Sequence, residues 1–242
     1  AEECDLMARL LTAPDFGLVS LSPISGPNAR NSGSNTASDG SEQTFDAIGQ
    51  IWAFQIEYVF AQGREARRQR GLLNSGLLSG ANAMRWTVVD GDIMTPAEAG
   101  LVGEFTGQPW SNEEPWSNQM SWGASYPVVP VAESAAANTG IIALEDHFWG
   151  HNLGLGDWIG FMPFHFGLYE ISEVIEPGRY RIWPRLRKAI APSDYATLHP
   201  VIVLKLTGQG AARLKRGIYG TEGQGADFVE VIDPYVRQYF TD

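Results

Sequence analysis

From Ile141 to the C-terminus the chain breaks into short apolar runs: IIALED, DWIGF, HFGLYEISEVI, RYRIWP, VIVLKL and ADFVEVID. Turns containing Gly or Pro separate most of them, as in Glu176-Pro177-Gly178. Runs this short, punctuated this often, read as strands. The spacing predicts an almost entirely β half, folded as a sandwich or a barrel.

The first half holds one mixed unit. In IWAFQIEYVF, Trp52, Phe54, Ile56 and Tyr58 share one parity, which predicts a strand with a strongly aromatic face. Gly63 ends it. In GREARRQRGLLNSGLLSG, Ala66, Leu73 and Leu77 recur at steps of seven and four, so a helix of about 14 residues fits, weakened by Gly71 and Gly76. Arg64, Arg67, Arg68 and Arg70 form its polar side; a phosphate could use them, but a solvated helix face is the plainer reading. GANAMRWTVVDGD then reads as turn, strand and turn. Residues 26–44 hold almost no large apolar side chains, so a long mobile loop or arm is expected there. The whole is mainly β with one α-helix, a β-sandwich or β-barrel domain plus a second β-rich part and long loops. The expected division is 1–106, with strand, helix and strand; 107–140, a Trp-rich extended loop; and 141–242, the β-rich part.

Composition narrows the function. The 242 residues are 44% hydrophobic and 19% charged, ordinary for a globular protein with a real core. A net charge of −11 repels phosphate backbones and disfavours nucleic acid as a partner. The single cysteine, Cys4, excludes an internal disulfide and a cysteine-based zinc cluster. AEECDLM has neither the basic nor the apolar region of a secretory signal, and no apolar run approaches the ~18 residues of a membrane span. The expectation is a soluble, cytoplasmically made chain, its Ala1 consistent with loss of an initiator Met.

Between the halves, GQPWSNEEPWSNQMSWGASYP repeats Pro-Trp-Ser-Asn after six residues, and a third Trp follows after six more. On a helix a step of six is a rotation of about 600°, so the rings would not share a face. On an extended chain it returns each ring to the same side. Trp110, Trp116 and Trp122 thus read as three pegs on one edge of a ribbon. They could stack on sugars, pack on a neighbouring subunit, or fill the chain's own core.

Signals for catalysis are weak. His147 and His151 stand four apart beside Asp146, a spacing that on a helix could grip a metal ion. Gly150 and Gly154 interrupt any helix there, so two ordinary turn histidines are the plainer reading and no bound metal is expected. Glu113-Glu114 and Glu145-Asp146 are acid pairs of the kind a glycosidase needs, but each is adjacent in sequence and in a charged turn. Ser111 and Ser117 lack a nucleophile-elbow context. Gly220-Thr221-Glu222-Gly223-Gln224-Gly225 has the glycines of a phosphate loop without its Lys-Ser/Thr end. No catalytic residue and no cofactor are expected.

Two blocks carry a resemblance. WAFQIEYVFAQGREARRQRGLLNSGLLSGANAMRW with VVDGDIMTPAEAG resembles the front domain of distal tail proteins of long-tailed bacteriophages and phage-like particles. There an aromatic strand leads to a helix and a turn, here Gly80-Ala81-Asn82-Ala83, returns the chain to the sheet. GDWIGFMPFHFGLYEISEVIEPGRYRIWPRLRKAI is similar to a segment of minor tail proteins, opened by Gly156-Asp157 and closed by Ile182-Trp183-Pro184-Arg185-Leu186-Arg187. The doubled Pro-Trp-Ser-Asn is also similar to runs in this group. The likeness covers residues 50–100 and 155–206. Trp183 has a local reason of its own, since Pro184 stops a strand and the indole packs on the sheet; core is the plainer role.

The resemblance implies a virion tail protein, assembled in the bacterial cytoplasm. It would be a homo-oligomeric ring, usually a hexamer, joining the tail tube to the baseplate hub or tail tip. Trp110, Trp116 and Trp122 would then be subunit anchors. The alternative is a carbohydrate-binding tail-tip module that uses the same rings on a host-surface glycan. A tail-associated hydrolase would rest on the acids and histidines alone.

Overall fold

The computed structural model describes residues 8–14, 16–26, 31–36, 42–46, 51–88, 128–145, 153–163, 165–213, 217–220 and 224–241. In chain order the strands begin with β1 (Ala8–Thr12), β2 (Leu18–Ser25), β3 (Asn31–Thr36), β4 (Glu42–Asp46), β5 (Ala53–Tyr58) and β6 (Ala83–Thr87). Next come β7 (Val128–Pro130), β8 (Ile141–Ala143), β9 (Trp158–Met162), β10 (Tyr169–Glu176), β11 (Arg179–Trp183) and β12 (Tyr195–Thr197). The last are β13 (Val201–Leu206), β14 (Ala212–Arg213), β15 (Gly225–Glu230) and β16 (Phe240–Thr241). Helix α1 (Gly63–Arg70) and the short α2 (Asp233–Tyr239) complete the set, and the fold is mainly β.

The chain divides into two compact units, residues 1–87 with 201–242, and residues 88–200. This differs from the sequential division at 106 and 140. β13 to β16 leave the expected C-terminal part and return to the first unit, because the exposed edge of β6 is paired by β13, with Thr87 opposite Val201. The second unit is therefore an insertion between two neighbouring antiparallel strands of the first.

In the first unit the sheet runs β16-β1-β6-β13-β15-β5-β2, with β14 added to β15. β1 is parallel to β16 and to β6; the other pairs are antiparallel. The alternation in β5 behaves as its pattern requires: Trp52, Phe54, Ile56 and Tyr58 are buried and Glu57 is exposed. Trp52 stacks on Phe54 with ring centroids 5.5 Å apart, and Phe54 meets Trp86 edge-on at 6.5 Å. Burial pushes the Tyr58 phenol above its ordinary value, so the ring stays neutral against Phe16.

The helical segment is shorter as an α-helix than its periodicity predicts. α1 gives way at Gly71 to a π turn (Gly71–Gly76), then to a 3-10 turn (Leu78–Gly80) in which Leu78, Ser79 and Gly80 have positive φ. Gly71 and Gly76, at the two ends of the π turn, lower the helix preference of this stretch. Ala66, Leu73 and Leu77 are buried as expected, and Arg64, Arg67 and Arg68 are exposed. Asn82 fixes the exit: its amide donates to Gly76 O at 2.7 Å, and its carbonyl oxygen accepts the Arg9 N–H of β1 at 3.0 Å.

β3 and β4 pair with each other as an antiparallel ribbon that occupies much of the 26–44 stretch expected to be a loop and runs on to Asp46. Backbone hydrogen bonds hold such a ribbon without apolar side chains, so composition does not announce it.

In the second unit the order is β7-β12-β9-β10-β11-β8, all antiparallel. An antiparallel bridge between Val131 and Leu144 joins the two ends. Ala132 N–H donates to Ala143 O and Glu145 N–H to Pro130 O, both at 2.9 Å, and the sheet closes into a six-stranded barrel. Consecutive β9, β10 and β11, with β12 returning beside β9, form a Greek key. Each strand or its extension sends two residues inward at i and i+2, among them Ile159 with Phe161, Tyr169 with Ile171, and Tyr180 with Ile182. They fill the barrel as a core. Closure removes the two sheet edges that the six strands would otherwise present.

Candidate interaction surfaces

Several residues singled out by the sequence lie outside the described part of the structure: Trp110, Trp116 and Trp122, Glu113 and Glu114, Ser111 and Ser117, and His147 and His151. Glu145 is half-buried, and its N–H closes the barrel as given above. Among the described residues, no group of three or more His, Cys, Asp or Glu converges as a metal site. No helix among them is long and apolar enough to cross a membrane.

The Ile182-Trp183-Pro184-Arg185-Leu186-Arg187 segment leaves β11 through a cis Trp183–Pro184 bond. Ile182, Trp183 and Leu186 are buried, so Trp183 takes the core role. Leu186 O accepts the Asn138 N–H, Leu186 N–H donates to Thr139 O, and Ile190 pairs with Ala135. The segment is further pinned from inside: the Tyr169 hydroxyl accepts the Arg187 N–H at 2.9 Å and lies 2.6 Å from His165 Nε2. The hydroxyl keeps a second lone pair and its proton for His165, and the imidazole tautomer sets which of them is used.

The first unit carries the more telling surface. Between β14 and β15, Gly217–Gly220 makes a narrow turn in which Gly217 N–H donates to Gly220 O at 3.0 Å. Gly220 lies flat on Phe60 and Ala61; a Cβ there would come within 2.7 Å of the Phe60 ring and 2.8 Å of Ala61 O, so only glycine fits. At the tip, Ile218 is 95% exposed and Tyr219 84%. Phe60, at the base, is half exposed. At the far end of β15 a cleft of about 450 Å³ opens among Ile51, Val231, Ile232, Tyr235 and Phe240, with Ala81 and Lys205 on its wall. Glu230 also lines it, its carboxylate accepting the Trp52 N–H at 3.0 Å. Gly80 completes the lining at φ +97°, where a side chain would strike the carbonyl oxygen of Leu206.

Sequence reasoning missed both features. Ile218-Tyr219 lay beside a glycine pattern weighed only as a phosphate loop. The cleft depends on α2, whose start carries a helix signal in the sequence, Asp233-Pro234. In comparisons with known proteins, no family model matches the chain and no curated protein matches it.

Proposed function

We propose that this chain is a structural component of the tail of a bacteriophage or phage-like particle. In this reading it is a distal tail protein whose copies form a ring, six in the arrangement the resemblance implies, joining the tail tube to the baseplate hub or tail tip. The observation that carries the reading is where the two tail-like blocks fall. The first supplies β5, the helical segment, the Asn82 turn and β6, all within one compact unit. The second supplies β9, β10, β11 and the pinned segment after them, all within the other. Residues 52–86 of the first block and 156–190 of the second are thus each a continuous piece of one unit's architecture, while residues 88–100 and 201–206, at the ends of the two resembling regions, fall in the other unit. The exposed Ile218-Tyr219 tip adds support, because apolar groups held this far out on an acidic protein call for a partner surface.

In this proposal the chain has no catalytic or cofactor role, and Trp110, Trp116 and Trp122 anchor one subunit on the next. Sedimentation of the full chain tests it: a closed oligomer is expected, and a single protomer at every concentration contradicts it. Trp116→Ala should impair assembly while leaving the monomer's circular dichroism unchanged. Normal rings with loss of glycan binding alone would favour the carbohydrate-binding alternative.

A further inference from the structure

We infer that the Ile218-Tyr219 tip of one copy seats in the cleft walled by Val231, Ile232, Tyr235 and Phe240 of a second copy, making a head-to-tail contact.

The tip and the cleft lie at opposite ends of the same strands. Gly220 rests on Phe60 and Ala61, just beyond the end of β5, and leads into the start of β15. The cleft gathers Ile51, just before β5 begins, and Glu230 to Ile232, where β15 ends. A six-residue strand separates the two ends by roughly 20 Å. The tip is fixed at its base by the Gly220 contact, so it cannot fold back into its own cleft. Only another copy can bring the two together.

Their chemistry matches. The tip offers one aliphatic and one aromatic side chain, almost wholly exposed. The cleft has apolar walls and, at about 450 Å³, lies in the range of cavities that enclose compact ligands. A tyrosine buries its ring best where its hydroxyl also finds a partner. Two residues of the lining carry polar side chains, Glu230 and Lys205, the first already accepting the Trp52 N–H. Because each copy carries both halves, stoichiometry is satisfied without any other protein. The two halves are different surfaces, so the contact is heterologous, and it propagates until it closes into a ring or runs on as a filament.

The contact deepens the ring reading above and rests on it for closure, while the pairing of tip and cleft is tested separately. In a Cys4→Ser background, chains carrying Tyr219→Cys are mixed with chains carrying Ala81→Cys and oxidised. The expected product is a disulfide-linked dimer of one chain of each kind, exceeding the dimers formed by either chain alone. In parallel, Ile218→Asp with Tyr219→Asp is expected to weaken self-association at least tenfold. Both side chains are solvent-exposed, so the fold should be unchanged. A tip variant that assembles like the wild type, or no mixed dimer, overturns this contact and leaves the ring reading standing. A wild-type chain that stays monomeric at every concentration overturns both.

Discussion

Replacing Tyr169 by Phe removes one oxygen atom from the barrel core and nothing else. The ring is fully buried and meets Phe161 with centroids 5.6 Å apart, a contact that phenylalanine keeps. What is lost is the hydroxyl that accepts the Arg187 N–H at 2.9 Å and sits 2.6 Å from His165 Nε2. Arg187 is half-buried, so its N–H can recover water and the cost there lies at the low end. His165 is buried at 5% exposure, so its nitrogen loses a partner that water does not readily replace. A lost hydrogen bond with one buried partner left behind costs about 1–3 kcal/mol. That corresponds to roughly 5- to 150-fold in a local opening equilibrium. Hydrogen exchange on the full chain, read by mass spectrometry over residues 184–190, should show protection falling by that factor. Thermal unfolding should show a matching loss of stability. Unchanged exchange over 184–190 together with unchanged stability would refute the claim that Tyr169 holds the segment after β11.

Gly160→Ala should destabilise the barrel by about 1–3 kcal/mol, because its Cβ would lie 2.7 Å from the Pro200 backbone, which cannot rotate aside; an unshifted melting curve would contradict this. Gln69 is fully buried, and among the described residues neither amide atom has a hydrogen-bond partner. Gln69→Met, of similar shape, is expected to stabilise the first unit by about 1–3 kcal/mol in urea unfolding, whereas a loss of stability would show that the amide is needed. Burial lowers the His199 pKa from its ordinary 6.5, so below about pH 6.5 the unfolded chain takes up a proton that the folded chain still resists. Stability should fall as pH drops through that window and level off below the folded pKa. His199→Gln should flatten the slope, and a slope identical to wild type counts against the assignment.

What could be read from the sequence was local. Trp52, Phe54, Ile56 and Tyr58 share one parity, and the sheet buries all four. The apolar runs after Ile141 all become strands, since each carries its own period and its own turns. Features set by distant partners did not show. β7 and β12 have three residues each, too few for a pattern, yet β7 closes the barrel through Val131 and Leu144. The return of β13 to β6 joins residues more than a hundred positions apart, and no local signal marks VIVLKL as belonging to the first unit rather than the second. Gln69 is buried for a reason its residue type does not carry: its position lies on the buried helical face three residues from Ala66, whereas glutamine is mostly found exposed. Of the candidate site, Trp183 was read correctly as core. The Ile218-Tyr219 tip needed the backbone, because exposure of two apolar residues is invisible until the turn that raises them is known.

The central claim, a ring at the end of a tail, is tested most directly by locating this chain in the particle. Particles carrying an epitope-tagged copy would be labelled with gold-conjugated antibody and imaged by electron microscopy. The account predicts label confined to the junction between the tail tube and the baseplate or tip, and averaged images with a closed ring at that level. Label spread along the tube, on the head, or absent from assembled particles would contradict it.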